Sequence, residues 1–290
     1  MIIVRLEGGL GNQMFQYAFG RKLAILNNTS LKIDVSKLLV PETENVIKRQ
    51  YKLDFLNINA TLAKQQDIEL FYSSEHFYTR YRNLAFKLLG YTAKVHEQAF
   101  DYHTNALVKC KNVYVTGYWQ SYKYFNSITN YINTELQIKK SFKPVFDNLM
   151  DEINTTHSIA VHFRRGDYVS NAATQQFHGV CSVEYYIKAI SYFKEKLIKP
   201  RFYIFSDDMD WVKQNIEMDA SFRMIEGNAD YGDMYLMSQC KHQIIANSSF
   251  SWWGAWLNSN PHKMVVAPKN WFADPSINTS DLIPLNWITL

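Results

Sequence analysis

The residues best equipped for chemistry are two adjacent arginines in His162-Phe163-Arg164-Arg165-Gly166-Asp167. The chain has nine arginines against 22 lysines, so a neighbouring pair at the end of an apolar run stands out. A guanidinium presents a fixed fork of donors that grips phosphate or carboxylate in two places at once. Successive side chains of a strand point to opposite faces, so His162 and Arg164 are expected on one side and Arg165 on the other. Two readings compete for Arg165: contact with an anionic ligand, or an ion pair with Asp167 that braces the turn.

Three further constellations have comparable chemistry. Asn247-Ser248-Ser249-Phe250-Ser251-Trp252-Trp253-Gly254-Ala255-Trp256 sets amide and hydroxyl groups at a helix start, where backbone N–H groups also favour a diphosphate. It holds three of the seven tryptophans. Their spacing prevents all three from facing one ligand, so at least two are expected in the core. Phe205-Ser206-Asp207-Asp208-Met209-Asp210 contains an Asp-x-Asp pair with metal-binding spacing. Its carboxylates suit equally a helix cap, a helix dipole or a guanine edge. Glu7-Gly8-Gly9-Leu10-Gly11-Asn12-Gln13 joins a strand to a helix. Its glycines either let a ligand approach the backbone or serve a tight turn. Met14 stands where a dinucleotide fingerprint needs its third glycine, and no Gly-Lys-Ser/Thr follows, so neither that fingerprint nor a P-loop is present.

Other motifs fail. His96-Glu97 has no second histidine one turn on, and there is no Gly-x-Ser-x-Gly elbow. The interleaved Tyr78-Thr79-Arg80-Tyr81-Arg82 reads as a helix surface rather than an RNA platform.

The elements that must position these residues follow from hydrophobic spacing. Residues 2–6 form a strand, a helical pattern from Met14 to Leu26 follows, and 31–35 close a β-α-β unit. Helical patterns also cover 62–71 and 80–89, and 113–118 reads as a strand. Residues 126–154 are polar and Lys-rich and mark the connection between domains. From Ser158 strands are expected at 159–163, 202–205, 222–225, 242–246 and 263–267. Helices are expected at 183–197, 208–216, 233–239 and 251–257. Alternation of this kind specifies an α/β fold with a doubly wound parallel sheet, whose ligands bind at the carboxyl ends of its strands.

Composition narrows the class. The chain has 290 residues, 47% of them hydrophobic and 20% charged, which is globular rather than disordered. The 31 basic residues exceed the 27 acidic ones by four, an excess too small to imply nucleic acid but suited to an anionic small substrate. Aromatics at 15% weakly favour a carbohydrate or nucleobase handler. No apolar run reaches the length of a membrane span or a signal-peptide core. Cys110, Cys181 and Cys240 are odd in number and far apart, which supports no zinc site and no disulfide framework and suggests a reducing cytoplasm.

Taken in order along the chain, the segments 8–13, 162–167, 205–208, 233–238 and 247–256 resemble glycosyltransferase family 11, the bacterial α-1,2-fucosyltransferases. The resemblance covers nearly the whole length. It implies a GT-B fold: two Rossmann-like doubly wound domains facing a cleft, an acceptor-side domain over 1–150 and a donor-binding domain over 151–290. It implies GDP-β-L-fucose as co-substrate, no metal or other cofactor, and inverting transfer to the 2-hydroxyl of a terminal galactoside. Arg164 would hold the β-phosphate and stabilise the leaving diphosphate. His162 and Asp207 or Asp208 would meet the nucleoside. Ser248, Ser249 and Ser251 would donate to phosphate, and Arg165, Asn247, Gly9 and Gly11 complete the donor set. Asn12 would lie near the glycosidic oxygen or the acceptor.

The α-1,6 relatives carry a glutamate shortly after the arginine motif, and Tyr168-Val169-Ser170-Asn171-Ala172 has none. Glu7, Asp167 and His178 remain candidates for the base, as does a dissociative path in which phosphate takes the proton; Asp167 joins Arg164 and Asn12 in the candidate catalytic set. Another GDP-sugar transfer, such as protein O-fucosylation, and a non-catalytic carbohydrate-binding protein are the alternatives. The expected setting is cytoplasmic, with peripheral contact at the inner membrane face and no nucleic-acid partner.

Overall fold

The computed structural model describes residues 1–40, 49–72, 81, 84, 85, 87–142 and 146–290, without the side chains of Asp147, Asp167, Ser170 and Ala173. The chain forms two compact units. One comprises Met1–Gln137 with Thr279–Leu282, the other Ile138–Asn278 with Ile283–Leu290.

The first unit is built on a five-stranded parallel sheet ordered β3-β2-β1-β5-β4. Its strands are β1 (Ile2–Arg5), β2 (Leu31–Asp34), β3 (Thr61–Leu62), β4 (Thr92–His96) and β5 (Asn112–Thr116). The helix Leu10–Leu26 crosses from β1 to β2 and buries Met14, Phe15, Tyr17, Ala18, Leu23 and Ala24. The chain moves outward from β1 through β2 to β3, then returns through β4 to β5 on the other side of β1. The order therefore reverses between β1 and β5, the kind of position where open α/β sheets bind ligands. Thr279–Leu282 rejoin this unit through Asp281, which accepts the Tyr102 N–H at 2.9 Å and pairs with Lys123.

The second unit carries six parallel strands ordered β11-β10-β9-β6-β7-β8. They are β6 (His157–Phe163), β7 (Pro200–Ser206), β8 (Phe222–Met224), β9 (His242–Ile244), β10 (Val265–Ala267) and β11 (Ile288–Thr289). Here the reversal lies between β6 and β9. Both faces of the sheet are covered. Ile159, Val161 and Phe163 pack with Tyr186, Phe193 and Val212 on one face, and Ala160 packs with Tyr203, Leu236 and Met237 on the other. A strand buried on both faces needs apolar residues at successive positions, which is why β6 and β7 read as continuous hydrophobic runs rather than alternating ones.

The parallel sheets with flanking helices are those of a GT-B-like fold. Several elements differ from the sequence expectation. The stretch 62–71 contains only the end of β3 and a short helix, Gln65–Glu69. Strands β4 and β11 and the helices Gly166–Ser170 and Ala172–His178 were not expected. They are short, so too few residues repeat for a period to emerge. The expected helix over 80–89 lies partly outside the described residues. Trp252 and Trp253 are fully buried, in line with at least two structural tryptophans.

Candidate functional site

The register of β6 and β7 assembles the first group of candidates. Phe163 lies opposite Ser206, so the next residue of each chain, Arg164 and Asp207, emerges side by side above the sheet. Arg164 Nη1 is 2.7 Å from Asp207 Oδ2. Asp207 Oδ1 accepts the Arg165 backbone N–H at 2.8 Å. Asp208 takes the neighbouring guanidinium: Arg165 Nε donates to its Oδ2 at 3.2 Å, and its Oδ1 caps the helix Met209–Asn215 by accepting the Trp211 N–H at 3.2 Å. The Arg165 guanidinium also lies 3.9 Å from the centre of the Trp211 ring. Two adjacent arginines are thus set by two adjacent aspartates. The partner seen bracing Arg165 is Asp208 rather than the expected Asp167, whose side chain is outside the described residues.

Gly166 begins the helix that follows, and a Cβ there would stand 2.5 Å from Asp207 Oδ2. A side chain there would push the Asp207 carboxylate from its place beside Arg164. Arg164 is flanked by Tyr168, whose ring centre is 5.3 Å from the guanidinium carbon and which stacks on His178 at 4.7 Å. The sequence reading named His178 but missed Tyr168; an aromatic one helical step beyond the arginines was the available signal.

His162 shares the face of Ala160 and is buried, 5.5 Å from the Phe250 ring. Burial first, and then the positive charge of Arg164, pushes its pKa down to about 3, so the ring is neutral. Its Nδ1 is buried without a hydrogen-bond partner. A buried polar atom left in this state costs about 1–3 kcal/mol.

The third motif reaches the same edge from β9, and its polar side chains differ in use. Asn247 is spent inside the protein. Its Nδ2 lies 2.9 Å from the His178 carbonyl, 3.3 Å from that of Gly179 and 3.2 Å from that of Trp271, and its Oδ1 faces Cys181 Sγ at 3.5 Å. It staples two loops to the strand end. Ser251 is fully buried, and its Oγ lies 3.4 and 3.3 Å from the carbonyls of Ala246 and Ser248. Ser248 caps the helix Ser249–Trp256 by accepting the Phe250 N–H at 3.3 Å. Ser249 is the more accessible of the three, half-buried at the first helical position. Asp210 points to solvent with only a 4.0 Å approach from Lys213, so Asp208 and Asp210 do not converge. Among the described residues no cluster of three or more His, Cys, Asp or Glu could hold a metal.

In the first unit the loop after β1 is held by two buried glutamines. Gln13 Nε2 donates to the carbonyls of Gly8 and Gln50 at 3.0 and 2.8 Å, and its Oε1 accepts the Lys52 N–H. Gln16 accepts the Glu7 N–H and donates to the Gly117 carbonyl, which ties the loop after β1 to the loop after β5. Gly8 has φ +80°, and a Cβ there would lie 2.4 Å from Asn12 Nδ2. Gly9 caps the helix with open space where a side chain would be, and Gly11 is buried in the first turn. Asn12 Oδ1 accepts from Gln120 Nε2 at 2.9 Å, which fixes which way its amide faces.

Glu97, at the end of β4, was dismissed with the incomplete histidine motif, yet it is central here. Its two oxygens accept the N–H groups of Tyr118 and Trp119 at 2.6 and 2.7 Å. These bonds hold Trp119 at φ +58°, a conformation costly for a bulky side chain. Burial raises the Glu97 pKa to about 7 against the pull of those two N–H groups, with a smaller push from Glu7. No helix among the described residues is long and apolar enough to cross a membrane.

The description Glycosyl transferase family 11 matches residues 1–290. Over 300 aligned residues the chain is 35% identical to an alpha-1,2-colitosyltransferase of Escherichia coli, covering all of this chain and 99% of that protein. It is 33% identical to the O-antigen biosynthesis glycosyltransferase WbnK of Escherichia coli over 98% of this chain and 99% of that one. A solved structure of the α-1,6-fucosyltransferase NodZ, soaked with GDP-fucose, shares the fold with a TM-score of 0.50 at 14% identity, covering 90% of this chain and 96% of that chain. With a family match from the first residue to the last and full-length relatives above 30% identity, the chain belongs to glycosyltransferase family 11.

Proposed function

We propose that the protein transfers L-fucose, with inversion, from GDP-β-L-fucose to the 2-hydroxyl of a terminal galactoside in glycan or O-antigen synthesis. The observation that carries the donor half is the pairing of Arg164 with Asp207 beside the unpartnered His162 Nδ1, above the reversal between β6 and β9. In the proposed reaction the acceptor oxygen attacks the anomeric carbon from the face opposite GDP. The bond from that carbon to the phosphate oxygen breaks, and its electron pair passes to the β-phosphate. Arg164 stabilises the charge that develops there, the point at which a fixed cation contributes most. The acceptor proton goes to a carboxylate or to a phosphate oxygen. Ser249 and the start of its helix meet the diphosphate, Ser248 fixes that helix start, and His162 completes the nucleotide contacts. Arg165, Asp207 and Asp208 set Arg164, while Asn247 and Ser251 hold the turn from within. Gly9 and Gly11 keep their assignment to the donor, and Asn12 its place near the glycosidic oxygen or the acceptor.

A second donor is favoured by one observation: a relative at 35% identity is named for colitose transfer. Colitose is L-fucose without its 3-hydroxyl. A site that hydrogen-bonds a hydroxyl rejects the analogue lacking it by about 10⁴–10⁵, whereas an apolar pocket discriminates only weakly. The deciding experiment is calorimetry with GDP, UDP and ADP, followed by competition between GDP-fucose and GDP-colitose on a galactoside panel with linkage analysis of the product. The reading requires GDP to bind far more tightly than the other two nucleotides and an α-1,2 product from GDP-fucose. Equal affinity for all three nucleotides overturns the donor assignment.

A further inference from the structure

One surface of the first unit has no part in either group of candidate residues. It precedes the edge strand β4. Leu84, Leu88 and Leu89 are 52%, 78% and 69% exposed, which is unusual for three leucines within six positions. The Leu89 N–H bonds the Ala85 carbonyl at 2.9 Å, so the leucines lie on helical backbone.

The charges next to them in the sequence share one sign. Between Leu84 and His96 the sequence has Lys87 and Lys94 and no acidic residue. Lys87 is close enough to Lys94 to depress its pKa, after the larger effect of burial. Tyrosines border the patch. Lys94 Nζ lies 3.7 Å from the Tyr72 ring centre, and Lys111 Nζ lies 5.7 Å from that of Tyr91. Lysine on an edge strand guards against unwanted pairing, which accounts for Lys94 but not for the exposed leucines.

We propose that this face docks on an anionic phospholipid surface. Leucines that enter the acyl boundary, tyrosines at headgroup level and lysines over anionic headgroups are the three parts of an interfacial membrane contact. The charge pattern selects this occupant over a second copy of the chain, because two such faces would bring Lys87 and Lys94 against their own counterparts.

The test is co-sedimentation of the full chain with vesicles of phosphatidylcholine alone or mixed with phosphatidylglycerol. Its readout is partition rather than turnover, so its failure leaves the donor assignment untouched. Binding is expected to the mixed vesicles, to be weak on phosphatidylcholine alone, and to fall at about 1 M salt, where the Debye length is about 3 Å. Lys87→Gln should weaken binding about fivefold, the loss expected for one surface lysine. Leu88→Ser with Leu89→Ser should weaken it further with Tm unchanged, since both side chains are exposed. Equal binding to both vesicle types, or no loss in either variant, overturns the proposal. So does light scattering that shows a dimer dissociated by the leucine substitutions, which would make the face a self-association surface.

Discussion

Arg164 and Asp207 leave neighbouring strands at the same level and pair at 2.7 Å. Under the proposed function the pair has two consequences. It keeps the guanidinium oriented before the donor arrives, which reduces the reorganisation needed when charge develops on the leaving group. It also leaves a carboxylate within reach of an incoming anion, a repulsion that Arg165 and the adjoining N–H offset. Arg164→Lys keeps the charge and loses the fork. Its kcat should fall about 10²–10³-fold, the range for losing a donor that acts chiefly in the transition state, with Tm little changed. Arg165→Lys, which loses the stack on Trp211 and the Asp208 bond, should lower Tm more than kcat. Normal turnover in Arg164→Lys would mean the two arginines have the opposite roles.

The same geometry bears on metal dependence. Asp207 and Asp208 are occupied by guanidinium and backbone N–H groups, and Asp210 points away. EDTA should therefore leave turnover nearly unchanged. Loss of most activity on chelation, restored by Mn²⁺, would require those two carboxylates to abandon their present partners.

Glu97 gives a prediction for the first unit. Its pKa is about 7 in the folded protein, above the ordinary glutamate value of 4.5. A raised carboxyl pKa contributes stability that is fully present below the unfolded value and is lost as pH rises through the folded one. Glu97→Gln does not titrate. The Tm of the wild type relative to this variant should therefore decline between pH 5 and pH 8. Because Glu97 holds the turn that carries Gln120, and Gln120 orients Asn12, the variant should also raise the KM for acceptor more than the affinity for GDP changes. A pH-independent Tm difference would show that Glu97 is ionised throughout.

The second unit was largely legible in the sequence because its strands, covered on both sides, produce unbroken apolar runs and its candidate site loops fall where those runs stop. Side-chain assignments within the motifs were less legible. Asn247 and Ser251 have the chemistry of phosphate ligands, and only the structure shows their polar atoms turned inward to carbonyls. Glu97 was obscure for a different reason: its importance comes from a turn some twenty residues further on, and nothing local at His96-Glu97 encodes that pairing. The two units part after Gln137, and the return of Thr279–Leu282 to the first unit has no local signature.

His162 supplies the last prediction, because its buried neutral ring links stability to pH with the opposite sign from Glu97. Its folded pKa of about 3 lies well below the ordinary 6.5, owing to burial and then to Arg164. The unfolded chain therefore binds a proton between those values that the folded chain refuses. Stability should fall as pH drops below about 6.5, at up to about 1.4 kcal/mol per pH unit for one such group. His242, held to about 4 chiefly by burial, acts in the same direction. His162→Gln removes one of the two contributions, so denaturant titrations from pH 7 to pH 5 should give a shallower acid limb than the wild type. The variant should also bind GDP more weakly if the Nδ1 atom is completed by the nucleotide. An unchanged acid limb would mean that His162 is protonated in the fold; an unchanged GDP affinity would separate it from the donor site and leave Arg164 as the main determinant there.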